Sequence, residues 1–337
     1  VTNLTVDIGG RPGRDCRGFC EYCYFRGVGD MEPLGCRYCP PWKKGCDYCR
    51  RSVREWYEEF RSLRDVGERV LADLNGMHDD PDRITISGGG DPSCYPEFPG
   101  LLDLLSHTET PLHIGYTSGK GFDNPEIARN LVDWGLSEIS FTVFSSNPEL
   151  RRRYMHDPTP EVSLGVIRDL AGSIDVYAAA VVLQGINDGD TLVETCSWLD
   201  EAGAKGLILM RFANEPHQGL ILGNGPILPG QPVMDIPSFR DLVEDLNGMF
   251  RMKISGTPLY DPDIGSPFAI RREPYLLSRL PKAERRATVV SGSVAAPFIR
   301  EILDRRGFPG RVIAVEKEIA CLITSEDLRE LDLDECE

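Results

Sequence analysis

Basic residues are scarce in this chain. Lys and Arg number 37 against 53 Asp and Glu, for a formal net charge of −16. A surface this acidic excludes a general nucleic-acid binder, which needs cations to displace counterions from phosphates. It leaves the substrate open, because a basic pocket can sit inside an acidic shell. Long apolar runs are also missing. No segment reaches the roughly 18 to 20 consecutive apolar residues of a membrane helix, so no membrane partner is expected. The first sixteen residues, VTNLTVDIGGRPGRDC, lack the basic start and apolar stretch of a signal peptide. The expected compartment is the cytoplasm, where thiols stay reduced. Histidine is rare too: the five residues His78, His107, His113, His156 and His217 stand apart from one another. Internal repeats and low-complexity tracts are absent.

Cysteine is what the chain has in number, and its placement is uneven. Seven of the eleven (16, 20, 23, 36, 39, 46 and 49) fall in the first fifty residues, while Cys94, Cys196, Cys321 and Cys336 are scattered. In a reducing compartment such clustering points to metal rather than to disulfides. Hydrophobic residues at 41% and charged residues at 27% are an ordinary globular balance. A length of 337 residues allows one large domain with a smaller one.

Short apolar runs alternate with helical patterns. Strands are predicted at Leu4–Ile8, Arg83–Ser87, Leu112–Thr117, Glu138–Phe144, Asp175–Leu183 and Lys205–Arg211. Helices are predicted at Val53–Asn75, Phe98–Ser106, Pro125–Trp134, Val162–Ala171 and Asp190–Ala202. Asn124-Pro125 supplies a cap and a first-turn proline, and Gly135 and Gly203 sit where helices should stop. Strands apolar almost throughout imply a parallel sheet covered by helices. A doubly wound sheet and a partial barrel both satisfy this pattern.

After a Gly- and Pro-rich loop at Asn214–Gln231, a second αβ region is predicted. It holds a helix at Pro237–Met249, a strand at Arg251–Ser255, and further elements at Thr288–Val290, Ala295–Arg306, Arg311–Val315, Glu318–Ile323 and Ser325–Leu331. The chain then stops abruptly on LDLDECE, so a longer natural C-terminus is expected.

Cys16-x3-Cys20-x2-Cys23 follows the first strand directly. Three thiolates on one tight loop can hold three irons of a cubane and leave the fourth open, as a substrate-binding cluster requires. A zinc knuckle with a fourth ligand elsewhere is the competing reading. Ile84-Thr-Ile-Ser-Gly88-Gly89-Gly90-Asp91-Pro92 follows the second strand, and its glycines would let a ligand approach the backbone. Cys36-x2-Cys39-x6-Cys46-x2-Cys49 forms two C-x-x-C knuckles that can enclose one tetrahedral iron or zinc ion. The first reading of these four is a structural clamp; the sharper one is an auxiliary Fe–S cluster.

Together the first motif, with Tyr22 before its last cysteine, and the glycine segment resemble the radical S-adenosylmethionine (SAM) superfamily over residues 1 to about 212. The resemblance implies a partial (β/α)6 barrel with a 4Fe–4S cluster on Cys16, Cys20 and Cys23. It also implies SAM chelated by the open iron, and reductive cleavage of SAM to a deoxyadenosyl radical. Gly88, Gly89, Gly90 and Asp91 would bind the methionyl amine, although Glu is commoner at the acidic position. Barrel sites gather at the C-terminal strand ends, which adds Tyr116, Ser118, Thr142, Gln184 and Met210 as SAM-site candidates; burial in a barrel lining would account for them equally.

Phrases further on (Gly185–Asp188, Ile254–Leu259 and Pro262–Ala269), together with the double C-x-x-C loop, look like the methyl-coenzyme M reductase arginine methyltransferases. That group implies cobalamin and C-methylation of an arginine carbon in the reductase α subunit. Such an sp3 carbon has no acidic proton, so polar methyl transfer cannot reach it. Two SAM molecules per turnover would serve, one for the radical and one to remethylate the corrinoid. Without an Asp-x-His-x-x-Gly motif, the lower face of cobalamin would lack a His ligand. The expected seat is Ser291, Gly292 and Leu322, for which core packing is the plainer account.

The expected organisation is a barrel at 1–212 with the four-cysteine loop inserted at 36–49, a connecting region at 213–284, and a cobalamin-binding αβ domain at 285–337. No catalytic residue and no electron donor can be named. The runs Arg151–Arg153, Arg271–Arg272 and Arg285–Arg286 read as solvated or as cofactor-phosphate contacts. The alternatives are a cobalamin-independent radical SAM peptide modifier and a non-catalytic metal-binding protein.

Overall fold

A computed structural model describes residues 3–27, 59–124, 126–215, 218, 226–259, 286–305, 307–318, 323 and 325–331. Seven strands form one sheet: β1 (Asn3–Asp7), β2 (Arg83–Ser87), β3 (Leu112–Thr117), β4 (Leu136–Thr142), β5 (Asp175–Val182), β6 (Gly206–Arg211) and β7 (Lys253–Thr257). They lie side by side in chain order, and every pair is parallel. Parallel neighbours need crossovers, and crossovers are right-handed almost without exception. With no reversal of strand order, the crossover helices fall on the same face, so the sheet curls with those helices outside. This is the partial barrel expected of the sequence.

The expected six strands all form, and β7 continues the sheet by pairing with β6 from Gly206–Lys253 to Met210–Thr257. The barrel sheet therefore draws a strand from beyond residue 212. Its core is one contiguous cluster that includes Ile84, Ile86, Ile114, Ile139, Val176, Leu207 and Leu209, all buried.

Local chemistry sets several helix starts. The expected Val53–Asn75 helix begins instead at Leu63, where the Ser62 hydroxyl accepts the Asp65 amide; residues 53–58 lie outside the described set. The sequence reading missed the helix Pro148–Met155. Its start carries a clear signal, with Asn147 accepting the Glu149 and Leu150 amides ahead of a first-turn proline. Asp235 caps Ile236–Met249 through the Ser238 amide at 2.7 Å. Gly203, at φ 92°, closes Gly189–Ala202 in the left-handed region.

A second, two-stranded parallel sheet joins β8 (Ala287–Gly292) to β9 (Gly310–Val315) across the helix Ala296–Arg305. Arg211 at the end of β6 forms an ion pair with Glu318, just past β9. Among the described residues no helix is long and apolar enough to cross a membrane.

Candidate functional site

Because all seven strands run the same way, their C-terminal ends share one rim of the barrel. The cysteine loop leaves β1 at this rim. Ile8 donates to the Ser87 carbonyl at 2.9 Å, and the chain then turns through Gly9, Gly10 and Gly13, all at positive φ. At Gly13 an added Cβ would lie 2.4 Å from the Phe19 ring. A short 3-10 turn, Arg14–Cys16, presents Cys16. The Cys23 amide then donates to the Cys20 carbonyl at 3.0 Å, which presents the other two thiols. All three are free thiols of intermediate burial.

The loop is fastened to the ends of β3 and β4. The Glu21 amide donates to the Tyr154 carbonyl at 2.7 Å, and the Glu21 carboxylate meets His156 Nε2 at 2.6 Å. Arg17 donates to the Lys120 carbonyl at 2.9 Å. Tyr22 stacks on Phe144 with centroids 4.9 Å apart. Beneath the loop these rings join Met155, Leu183 and Phe212 in a small apolar cluster.

Burial pushes all three thiols up, Cys23 to about 12, against a lowering by Lys120. The chain alone therefore keeps the loop protonated, and a soft metal would have to stabilise the thiolates. The Tyr22 hydroxyl is buried beside Cys20, where it can donate to a thiolate or cluster sulfur. Among the described residues no three Cys, His, Asp or Glu side chains close on a single metal ion.

Gly88–Asp91 follows β2 and packs onto the stem of the same loop. A Cβ on Gly88 would lie 2.4 Å from the Gly9 carbonyl oxygen. The Gly89 and Gly90 amides donate to Gly9, and the Asp91 amide donates to Asp15. The Asp91 side chain, expected to meet the cofactor, is buried and faces the protein. Its Oδ1 accepts the Ser93 amide at 2.9 Å, the Ser93 hydroxyl at 2.6 Å and the Thr117 hydroxyl. Its Oδ2 accepts the Ser118 amide at 2.7 Å and the Ser118 hydroxyl. Five donors saturate a carboxylate with about four lone-pair sites.

Ser118 is buried on this carboxylate, while Tyr116 on β3 is more than half exposed. Thr142 and Met210 are partly buried at the ends of β4 and β6, and Gln184 is exposed just past β5. The structure thus brings all five to the rim, and Ser118 binds Asp91 of the glycine segment directly. Cys36, Cys39, Cys46, Cys49 and Leu322 lie outside the described residues. Ser291 is buried, and a Cβ on Gly292 would lie 2.7 Å from the Glu318 carbonyl oxygen. Both residues lie on β8, inside the β8–β9 unit.

Two residues at the rim escaped the sequence reading. Lys120 is fully buried, and the one local signal for it was its place two residues after Ser118. Arg151, expected to be solvated or to contact a cofactor phosphate, is fully buried too. It binds Asp157 at 2.7 Å and donates to the Ser118, Thr142 and Val143 carbonyls. Only Arg152 and Arg153 of that run are exposed.

The sequence profile of the radical SAM superfamily matches residues 32–199, a span that begins after Cys23 and contains Gly88–Asp91. No curated protein matches the chain. Among solved structures, the chain is similar to Streptococcus suis SuiB bound to its precursor peptide SuiA. The identity is 11% and the TM-score 0.51, over 77% of this chain and 49% of SuiB. SuiB bound to SAM matches at 12% and 0.51, over 77% and 51%. A radical SAM methyltransferase from Sphaerobacter thermophilus matches at 13% and 0.45, over 75% and 65%. The chain spans about half the length of the SuiB chains it matches. At these identities the likeness is one of fold.

Proposed function

The chain belongs to the radical SAM superfamily, and from that premise we propose that Cys16, Cys20 and Cys23 hold a 4Fe–4S cluster that binds SAM at the barrel rim. The observation that carries this reading is the set of three free, half-buried thiols on one loop, packed against Gly88–Asp91. When bound, the cluster supplies one electron that breaks a sulfonium C–S bond of SAM, releasing methionine and a deoxyadenosyl radical.

The chain's own residues position and shield. The loop presents three sulfurs toward the rim. Asp91, held from behind by Ser93, Thr117 and Ser118, fixes the glycine segment at the methionyl end. An amine there would rest on backbone carbonyls, since the Asp91 oxygens are taken. The apolar cluster of Tyr22, Phe144, Met155, Leu183 and Phe212 closes the underside to water.

The substrate we propose is a peptide or protein, in line with the precursor peptide that SuiB binds. The finer reading is C-methylation of an arginine carbon in the α subunit of methyl-coenzyme M reductase. Its support is the sequence resemblance at Gly185–Asp188, Ile254–Leu259 and Pro262–Ala269.

Anaerobic reconstitution tests the main reading. About four irons on the loop, with deoxyadenosine formed from SAM under a low-potential reductant, are expected. Cys20→Ala should lose both and keep the fold; SAM cleavage retained by this variant would sink the assignment. Cobalt bound in the protein from cobalamin-fed cells, and a methylated arginine in a reductase-derived peptide, test the finer reading. Their absence would leave a cobalamin-independent peptide modifier.

A further inference from the structure

Lys120 follows Ser118 and Gly119 in the loop after β3, and its side chain is fully buried. The ammonium donates to the Gly18 carbonyl at 2.7 Å and to the Met155 carbonyl at 3.0 Å. Gly18 lies between Cys16 and Cys20. The Met155 carbonyl also takes the Cys20 thiol at 3.9 Å, so the ammonium and the sulfur share one acceptor.

Lys120 makes no ion pair among the described residues. A buried ammonium with no carboxylate is costly unless negative charge lies close by. Asp91, which also bears on the loop cysteines, is already bound by Ser93, Thr117 and Ser118. Thiolates on the loop, once a cluster is bound, would supply that charge. Lysine carries it as a compact point charge on a flexible stem, which suits a position reached from beneath the loop. The same residue also anchors Arg17 through its backbone carbonyl, so its main chain and side chain both grip the cysteine loop.

We infer that Lys120 is a positioning residue that places one uncompensated positive charge beneath the cluster loop and thereby raises the reduction potential of the bound cluster. Reduction adds a negative charge to the cluster. A fixed cation within the low-dielectric interior favours the reduced state more than the oxidised one. Two carbonyls aim the ammonium from the protein side, so the charge stays in place whether or not SAM is bound. The inference rests on the proposed cluster ligands.

The test compares the reconstituted wild-type protein with Lys120→Gln and Lys120→Arg by iron and sulfide count and by EPR-monitored redox titration. Glutamine keeps hydrogen-bond donors for the two carbonyls and removes the charge; arginine keeps the charge. The midpoint potential of Lys120→Gln should fall by about 59 mV or more, a tenfold change for one electron. Lys120→Arg should stay near the wild-type value. A wild-type potential in cluster-loaded Lys120→Gln would overturn the inference, because hydrogen bonding alone would then account for the residue. A fall in Lys120→Arg would overturn it also, whatever Lys120→Gln does. Wild-type protein that takes up no cluster would instead overturn the ligand assignment itself.

Discussion

Asp91 Oδ2 accepts both the backbone amide of Ser118, at 2.7 Å, and its hydroxyl. One carboxylate thereby joins the ends of β2 and β3, the two strands that flank the back of the cysteine loop. The site is fastened by a network made of the chain's own groups.

Asp91→Asn should therefore destabilise the apo-protein. An amide offers one acceptor oxygen and turns its NH2 toward donors, so at least one buried donor loses its partner. Each such loss costs about 1–3 kcal/mol. Thermal unfolding of the metal-free variant should show a clear drop in Tm. An unchanged Tm would mean that the carboxylate is not the fastener and is free to serve a ligand.

Two glycines make an opposed pair of tests. A Cβ on Gly88 would sit 2.4 Å from the Gly9 carbonyl oxygen, whereas one on Gly165 meets nothing within 4 Å. Gly88→Ala must push the cysteine loop away from β2, so iron retention should fall along with stability. Gly165 lies inside the helix Pro160–Ala171, where alanine should stabilise by about 0.5–1 kcal/mol. Equal Tm values for the two variants would contradict the packing described at Gly88.

The contrast between those glycines shows what a sequence makes legible. β2 and β3 have the bounds predicted for them, since apolar residues there run between turn signals. The helix Pro148–Met155 was missed despite its capped start, because three consecutive arginines resemble a solvated stretch. What buries Arg151 is Asp157 and three carbonyls, one of them from Ser118, far away in the chain. β6 and β7 were both readable as strands, but their pairing was not, since pairing is a tertiary fact. Asp91 was picked out by its glycines. Its orientation depends on hydroxyls 26 and 27 residues later, at Thr117 and Ser118, which no local pattern announces.

Arg151 and Asp157 are both fully buried, at 2.7 Å from one another. Removing one partner of such a pair leaves an uncompensated charge and costs about 3–5 kcal/mol. Asp157→Ala should lower Tm strongly, and Arg151→Met should also free the Ser118, Thr142 and Val143 carbonyls that it now binds. Denaturant unfolding of each variant would measure this. A loss under about 1 kcal/mol in both would show that the pair is dispensable to the rim.

Cys196 gives an alkaline test independent of the cluster. It is buried in the helix Gly189–Ala202, and burial alone pushes its thiol up from about 9 to about 12. A group whose folded-state pKa is raised stabilises the fold fully below the unfolded value. That stabilisation is lost as pH climbs from about 9 toward 12. Stability of the wild-type apo-protein should therefore decline across this window, and Cys196→Ala should flatten the decline while costing some packing at all pH values. Cys23, also held near 12, adds to the same limb only while its sulfur is free. A metal-bound sulfur no longer titrates as a thiol, so loading the cluster should flatten the limb further. Urea unfolding at several pH values, with and without cluster, separates the two contributions. If Cys196→Ala and wild type fall in parallel between pH 9 and 12, the Cys196 thiol is not the group that titrates.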